Sequence, residues 1–309
     1  MPFIKFPGIT NTYHGKFLEK FQHEFGPALN TTYVAHEKIH GANIQFIFEP
    51  NIEMKIASRN RIIGQDEDFY NVKSILNNID LSQFQRWSDL DKKTINLYGE
   101  IFGSKIQNGI DYGPNKRILF FAIIINGVLE DMIVLDRIFS NMGISHLRVP
   151  EVARFDSWKE AIRMNTEFVS NLNPIEGNLC EGVVIQPLDR VLINNGGHYF
   201  ILKKKNNKFR EKSFKERKVN IDKEDPTIYK LKKEFESLIN DNRIQSIFSK
   251  YGPIEKINQM GEYIKLVWQD AMNEFRIDYK EEFESLGKEK QKIITNVGSM
   301  IRLLLIEYL

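Results

Sequence analysis

Alternation with a period of two dominates the first two thirds of the chain. Ile44, Phe46 and Phe48 alternate with Gln45 and Ile47, and Pro50-Asn51 then interrupts. Ile52, Met54 and Ile56 follow, alternating with Glu53, Lys55 and Ala57. This is the pattern of a hairpin whose strands each turn one face to a core. Residues 118–125 form a nearly continuous apolar run, followed by Asn126-Gly127 and Val128-Leu129. Asn-Gly tolerates the left-handed turn that joins antiparallel strands, so a second hairpin is predicted there. Residues 179–185 and 198–202 are further candidate strands. Helical patches are expected at residues 17–25 and 158–172.

Past residue 220 the period becomes helical. Asp225-Pro226 supplies an N-cap acceptor and then a proline at the first helical position. Ile228, Leu231, Phe235, Leu238 and Ile239 follow at helical spacing, and Gly252-Pro253 ends that region. Met260, Ile264, Val267, Trp268 and Ala271 make a second apolar stripe. Ile294, Val297, Ile301, Leu304, Leu305 and Tyr308 make a third. The expected architecture is α+β: residues 1–220 built on antiparallel sheets, and residues 221–309 forming a small all-helical domain of three to five helices. The chain shows no internal repeat.

Composition narrows the class. The chain has 309 residues, 42% of them hydrophobic and 27% charged, as in a soluble globular protein. Its one cysteine, Cys180, excludes an intramolecular disulfide framework and suggests a reducing, intracellular and cytoplasmic setting. No apolar stretch has the length of a membrane span, and the first residues lack the layout of a signal peptide. The net charge of +2 announces no polyanionic partner, but its distribution does. Residues 203–218 hold nine basic residues (Lys203, Lys204, Lys205, Lys208, Arg210, Lys212, Lys215, Arg217, Lys218) against Glu211 and Glu216. A solvated linker is the simple account of such a run. Because it starts on a candidate strand, its first lysines could instead face an active site and its later ones a polyphosphate backbone.

The candidate chemistry begins in the run His36-Glu37-Lys38-Ile39-His40-Gly41-Ala42-Asn43. A lysine followed two residues later by a short polar residue and glycine is the layout of a covalent nucleotidyl site. There an amine attacks the α-phosphorus of a nucleotide and keeps the nucleoside monophosphate as a phosphoramidate. The amine must be neutral, so nearby cations or desolvation are expected to lower its pKa. Lys203 and Lys205 are the candidate cations, and they could also hold the α-phosphate. The leaving pyrophosphate calls for a divalent cation, Mg²⁺ or Mn²⁺, held by carboxylates. Glu100 in Tyr98-Gly99-Glu100 and Glu181 in Cys180-Glu181-Gly182 are the candidate metal-side groups. Both follow apolar, strand-like residues, where a carboxylate needs a partner.

Order and spacing join these elements: Lys38-x-His40-Gly41, Arg59, Tyr98-Gly99-Glu100, an aromatic strand near Phe121, Glu181-Gly182 and Lys203-x-Lys205. In this order they resemble the covalent nucleotidyltransferases, which comprise DNA ligases, RNA ligases and capping enzymes. The wording from Glu37 to Asn43, with His40 where DNA ligases and capping enzymes usually carry Asp, is similar to the phage-type RNA ligase 2 family. So are residues 108–113 (Asn-Gly-Ile-Asp-Tyr-Gly), residues 203–209 and the helical tail around residues 242–252. The resemblance covers nearly the whole chain.

The resemblance implies an N-terminal nucleotidyltransferase (ATP-grasp-like ligase) domain and an ATP-dependent, nick-sealing RNA ligase used in RNA repair. Lys38 would carry AMP, with His40, Glu181, Lys203 and Lys205 completing the catalytic set. The Glu37 backbone would read the adenine amino group. Phe121 and Val184 would sandwich the base, with Phe120 the alternative if the register shifts by one. Glu100 would bind the ribose hydroxyls, and Arg59 and Asn43 would support the ribose and phosphate. The implied partner is RNA, as a nicked duplex, for a monomer without membrane or obligate protein partner, in keeping with a phage- or virus-encoded enzyme. A DNA ligase, a capping-type nucleotidyltransferase and a catalytically silent RNA-binding protein on the same scaffold are the rival readings.

Three positions depart from the family pattern. His36 stands where arginine is common, which weakens a phosphate contact there or makes it pH-sensitive. Gln186 replaces a basic residue, which Arg190 could supply. Ala122 replaces an aspartate. From the basic run we expect binding of a nicked RNA duplex to fall at least about tenfold between about 50 and about 200 mM salt. Filter binding across that range checks it, and a flat response would assign residues 203–218 to a solvated linker.

Overall fold

The computed structural model describes residues 3–194, 198–210 and 226–309. They divide into two compact units, Met1–Thr12 with Phe21–Lys208, and Tyr13–Lys20 with Phe209–Leu309.

The first unit is built on two five-stranded sheets. One has the order β1 (Thr10–Asn11), β12 (Leu202–Lys205), β9 (Gly182–Pro187), β2 (Tyr33–Glu37), β8 (Glu151–Phe155). The other has the order β4 (Ile52–Ser58), β3 (Ala42–Glu49), β5 (Ile95–Phe102), β6 (Arg117–Ile125), β7 (Val128–Leu129). All these neighbours pair antiparallel except β1 with β12. A short hairpin, β10 (Leu192–Asn194) with β11 (His198–Tyr199), stands apart. The predicted hairpins appear as β3–β4 and β6–β7, the latter turning on Asn126 and Gly127 at φ 49° and 87°.

Side chains from both sheets meet in one core: Tyr98, Ala122 and Ile124 from the second sheet, Val184 from the first, with Ile201 and Phe6. The opposite face of the second sheet carries Phe46, Leu97, Phe120 and Ile123. Helices cover it, with Val72 of α2 (Val72–Leu76), Phe84 of α3 (Ser82–Asp91), and Leu135 and Phe139 of α4 (Met132–Asn141) packed in the same cluster. Each such side chain taken fully out of water contributes about 1.5–3 kcal/mol. Because both faces of this sheet are buried, β6 reads as a nearly continuous apolar run rather than a clean alternation.

Two sequence expectations change. The helix predicted over residues 158–172 stops after one turn, as α5 (Trp158–Ala161). Beyond it the chain is drawn out to pair with the segment before β9, through Ser170 N–H to Asn178 O at 2.9 Å and Cys180 N–H to Phe168 O at 3.0 Å. The buried Glu37 carboxylate then captures the Ser170 hydroxyl and the Asn171 N–H, a tertiary demand that overrides local helical periodicity. The strand expected over 198–202 is split, with Phe200 and Ile201 between β11 and β12.

The second unit has five helices past residue 225: α6 (Pro226–Ser237), α7 (Asp241–Tyr251), α8 (Met260–Glu284), α9 (Lys288–Ile294) and α10 (Gly298–Ile306). α6 starts on the anticipated proline, Asn240 caps α7 by accepting from Arg243 N–H, and Gly252 ends α7 at φ 91°. The third apolar stripe is shared between α9 and α10. The expected boundary at 220/221 and the cap Asp225 fall outside the described residues, as do Lys212, Lys215, Arg217 and Lys218. Tyr13–Lys20, including the first residues of α1 (Gly15–Phe25), groups with these helices. His14 Nδ1 lies 2.8 Å from Asp278, and Lys16 lies 3.1 Å from Glu282.

Arg243 is fully buried in this unit. Its guanidinium donates to Leu238 O at 2.6 Å and Glu274 Oε2 at 2.6 Å, and also pairs with Asp270. Removing one partner of a buried ion pair strands the others. Arg243→Ala should therefore lower stability by about 3 kcal/mol. Urea unfolding of the intact chain, followed by circular dichroism of the helical signal, measures this, and a loss under about 1 kcal/mol would contradict the assignment.

Candidate active site

Three strand ends meet at one end of the first sheet. β9 lies between β2 and β12 and runs antiparallel to both, so the end of β2, the start of β9 and the end of β12 coincide. Lys38 follows β2 and stays tied to β9 through its N–H to Gly182 O at 2.9 Å. Glu181 immediately precedes β9, and Lys205 ends β12. The Glu181 carboxylate consequently sits between two lysines, with Oε2 2.8 Å from Lys38 Nζ and Oε1 2.8 Å from Lys205 Nζ. His40 Nδ1 approaches Oε2 at 3.3 Å. Glu181 is only 2% exposed. Burial alone would push its carboxyl up, but Lys205, Lys38 and His40 hold it well below the usual carboxylate range.

Glycine is required beside it. Gly182 has φ +145°, and a Cβ there would lie 2.1 Å from Lys204 O and 2.7 Å from Lys205 Cα. The Glu-Gly pair of the sequence thus marks a close approach of β9 to its sheet neighbour β12. Gly41 plays the matching role for the nucleophile run. A Cβ on Gly41 would lie 2.2 Å from Ile101 O and 3.0 Å from Glu100 Cγ. Without that bulk, the turn after Lys38 leaves the first sheet and lands on β5 of the second.

Glu100 lies on β5, opposite Asn43 of β3. Burial pushes its carboxyl up to about 7, helped by the negative charge of Glu181 and opposed by Lys38, Arg59 and the Gly41 N–H. The two carboxylates therefore differ sharply: Glu181 is saturated with cations, whereas Glu100 is poorly compensated. No group of three or more His, Cys, Asp or Glu that could hold a metal occurs among the described residues. Glu100 fits an oxygen ligand for a divalent cation, or an acceptor for hydroxyls. Glu181 has both oxygens engaged and would have to release Lys38 or Lys205 to ligate one.

Strand alternation separates the three lysines of β12. Lys204 turns away and donates to Ile162 O at 2.8 Å and Met164 O at 2.7 Å. Lys203 and Lys205 share the other face, with Lys203 opposite Val184 of β9. Val184 and Phe121 are both partly exposed and belong to one cluster, in which Phe121 packs edge-on against Phe6 at 5.1 Å.

A bulge sends Phe120 and Phe121 to opposite faces of the sheet. Tyr98 pairs with Ala122 but Gly99 pairs with Phe120, so Phe121 is the extra residue of a β-bulge. Phe120 is fully buried against Phe46 and Phe139 on the far face, while Phe121 turns toward Val184. Arg148 Nη1 and Val149 N–H both donate to Phe120 O, at 2.7 and 3.1 Å, pinning the bulge. Nothing in the sequence marks Arg148 for this task. Nor does anything mark the Glu37 carboxylate, whose oxygens go to the Ser170 hydroxyl and to Asn171 N–H at 2.8 Å.

The departures resolve as follows. His36 is 5% exposed, and burial, with Arg148, Arg190 and Arg154 nearby, pushes it down to about 3. It is a neutral interior ring, which favours the weakened phosphate contact of the two alternatives over the pH-sensitive one. Arg190 Nη1 donates to Gln186 Oε1 at 2.6 Å, so a cation does stand beside that position. Ala122 is buried between the sheets.

A family model described as RNA ligase matches residues 31–205, and one described as T4 RNA ligase 2 C-terminal matches residues 223–301. The chain belongs to the RNA ligase family. The two matches together correspond to the phage RNA ligase 2 type. Among solved structures it is similar to a mutant Naegleria gruberi RNA ligase with ATP and Mn, at 14% identity and TM-score 0.50, covering 68% of this chain and 58% of that one. An apo mutant of the same Naegleria gruberi ligase matches at 15% identity and TM-score 0.51, again over 68% and 58%. At such identity the likeness is one of fold, and the chain spans 58% of the length of those proteins.

Two consequences are measurable. Gly182→Ala should cost about 2–3 kcal/mol through its positive φ and the clash with Lys204; an unchanged urea midpoint would disprove the close passage. Glu100 holds its proton in the folded protein up to about 7, against 4.5 for the ordinary group. The unfolded chain binds fewer protons across that window, so this residue's contribution to stability falls as pH rises through it. Glu100→Gln cannot ionise, and its melting temperature should exceed the parent's by a few degrees at pH 8 but not at pH 4. Scanning calorimetry at both pH values decides this.

Proposed function

We propose that this protein is an ATP-dependent RNA ligase that seals nicks in duplex RNA through a lysyl-AMP intermediate. The observation that carries the reading is the buried Glu181 carboxylate bridging Lys38 and Lys205 beside His40. That arrangement sets a partly exposed primary amine among further cations, near a second, under-compensated carboxylate. Family membership, and the ATP and Mn named with a Naegleria gruberi relative, support the same chemistry.

In the first step Lys38 Nζ attacks the α-phosphorus of ATP, forming a P–N bond and expelling pyrophosphate. Lys38 is held by a carboxylate in the free protein, so it must leave Glu181 to attack. Lys203 and Lys205 take the α-phosphate charge, and His40 stands beside the amine to donate to the same oxygens. Phe121 and Val184 stack the adenine and Glu100 accepts from the ribose, with Asn43 and Arg59 supporting that side. The Glu37 backbone faces the base edge while its carboxylate serves the fold. A divalent cation, held by Glu100 and a released Glu181, would neutralise the leaving pyrophosphate.

In the second step a 5′-phosphate oxygen of RNA attacks the same phosphorus, breaking the P–N bond and freeing Lys38. In the third, a 3′-hydroxyl attacks the activated 5′-phosphate and expels AMP, closing the strand. The first domain, residues 1–220, performs this chemistry. The helical domain, residues 221–309, holds the duplex by shape and phosphate contacts, as A-form RNA requires. The protein acts as a monomer inside the cell. No helix among the described residues is long and apolar enough to cross a membrane.

Incubation with α-labelled ATP and Mg²⁺ should label the parent protein and leave Lys38→Ala unlabelled. A Lys38→Ala adduct would overturn the assignment. On a panel of nicked duplexes, sealing should be fastest with RNA on both sides of the break, and equal sealing of all-DNA nicks would favour the DNA ligase rival.

A further inference from the structure

Residues 108–113 have no task in the chemistry above, yet they lie against the catalytic turn. Tyr112 is 6% exposed, and its hydroxyl accepts from His40 N–H at 2.9 Å. Asn108 O lies 3.0 Å from His40 Nε2. Each ring nitrogen thus faces one acceptor, Nε2 the Asn108 carbonyl and Nδ1 the Glu181 carboxylate at 3.3 Å. The loop thus fixes both the backbone and the ring of one residue.

The loop is itself anchored. Asn178 Nδ2 donates to Asp111 O at 2.7 Å, and Asp111 N–H donates to Asn178 Oδ1 at 2.9 Å. Arg117 Nη2 donates to Tyr112 O at 3.2 Å and to Leu172 O at 3.1 Å. The Tyr112 ring stands edge-on to Phe102 at 4.9 Å. The segment that receives these bonds is the one seized at Ser170 and Asn171 by the Glu37 carboxylate. The nucleophile is therefore flanked by two ties to one brace, at Glu37 on one side and at His40 on the other.

We propose that Tyr112 is a positioning residue for His40. Together with Asn108 O it fixes how the His40 ring is turned beside Lys38, and so where the α-phosphate meets that ring. Tyr112 touches no reacting atom and acts only through His40. This rests on the ligase reading above.

Tyr112→Phe keeps the ring on Phe102 and removes only the oxygen, so it is the variant to test in the full chain. Its melting temperature should stay close to the parent's. Long-range ¹H–¹⁵N spectra of histidine side chains in the ATP-free protein should show the His40 ring signals displaced and broadened in Tyr112→Phe relative to the parent. Identical His40 signals would overturn the proposal whatever the protein's activity. In single-turnover labelling with ATP, Tyr112→Phe should slow the maximal rate about tenfold while the KM for ATP stays unchanged. Added to His40→Ala it should cause no further loss, since a residue that acts through another has no effect once that partner is gone. An equal loss in both backgrounds would also overturn it. Absence of any adduct in the parent would refute the ligase reading instead, leaving the spectra to decide the role of Tyr112.

Discussion

The Glu181 carboxylate, buried at 2% exposure, has Lys38 on one oxygen and Lys205 on the other, with His40 alongside. Taking that charge out of water is expensive, and only the surrounding cations offset the cost. The dependence runs both ways. Without Glu181, two ammonium groups from the strand ends on either side of β9 would face each other in a confined space. The rest of the first unit can be understood as the means of holding this contact: β9 placed between β2 and β12, and a glycine where β9 comes close to Lys204.

A second carboxylate gives the site its direction. Glu181 is over-supplied with positive charge and Glu100, pushed up to about 7, is under-supplied. Such a polarised pocket is suited to a ligand that is anionic at one end and rich in hydroxyl donors at the other. The two poles belong to different sheets. Gly41 lets the chain pass between them within three residues of Lys38, and the bulge at Phe121 turns an aromatic face toward Val184. Arg148, Tyr112 and the Glu37 carboxylate keep these pieces in register. None of them need touch a ligand to matter, because catalysis is sensitive to sub-ångström placement of the groups that do.

Much of this was legible beforehand. Alternation in residues 44–57, Asn126-Gly127 and the helical stripes past residue 225 each specify an element through local backbone geometry, and the elements follow. That Lys38, Glu181 and Lys205 gather at one place was expected from their order in the chain, but the bridging of both lysines by Glu181 was not. Residues 158–172 misled because helical spacing is a local signal. The capture of Ser170 and Asn171 by Glu37 spans more than 130 residues of sequence and leaves no periodic trace. His36 could be read two ways for a related reason: a histidine in a strand looks the same whether it faces solvent or is buried near Arg148 and Arg190.

The sequence by itself determined which chemical groups are present and on which strands and turns they ride. Residue type, spacing and turn preference are properties of short stretches of chain. Tertiary structure alone decided which face each group occupies and what charge surrounds it. Register across the sheet, a one-residue bulge and the desolvation of each carboxylate all depend on segments distant in sequence. The opposite faces taken by Phe120 and Phe121, and a saturated Glu181 beside a starved Glu100, are choices made there.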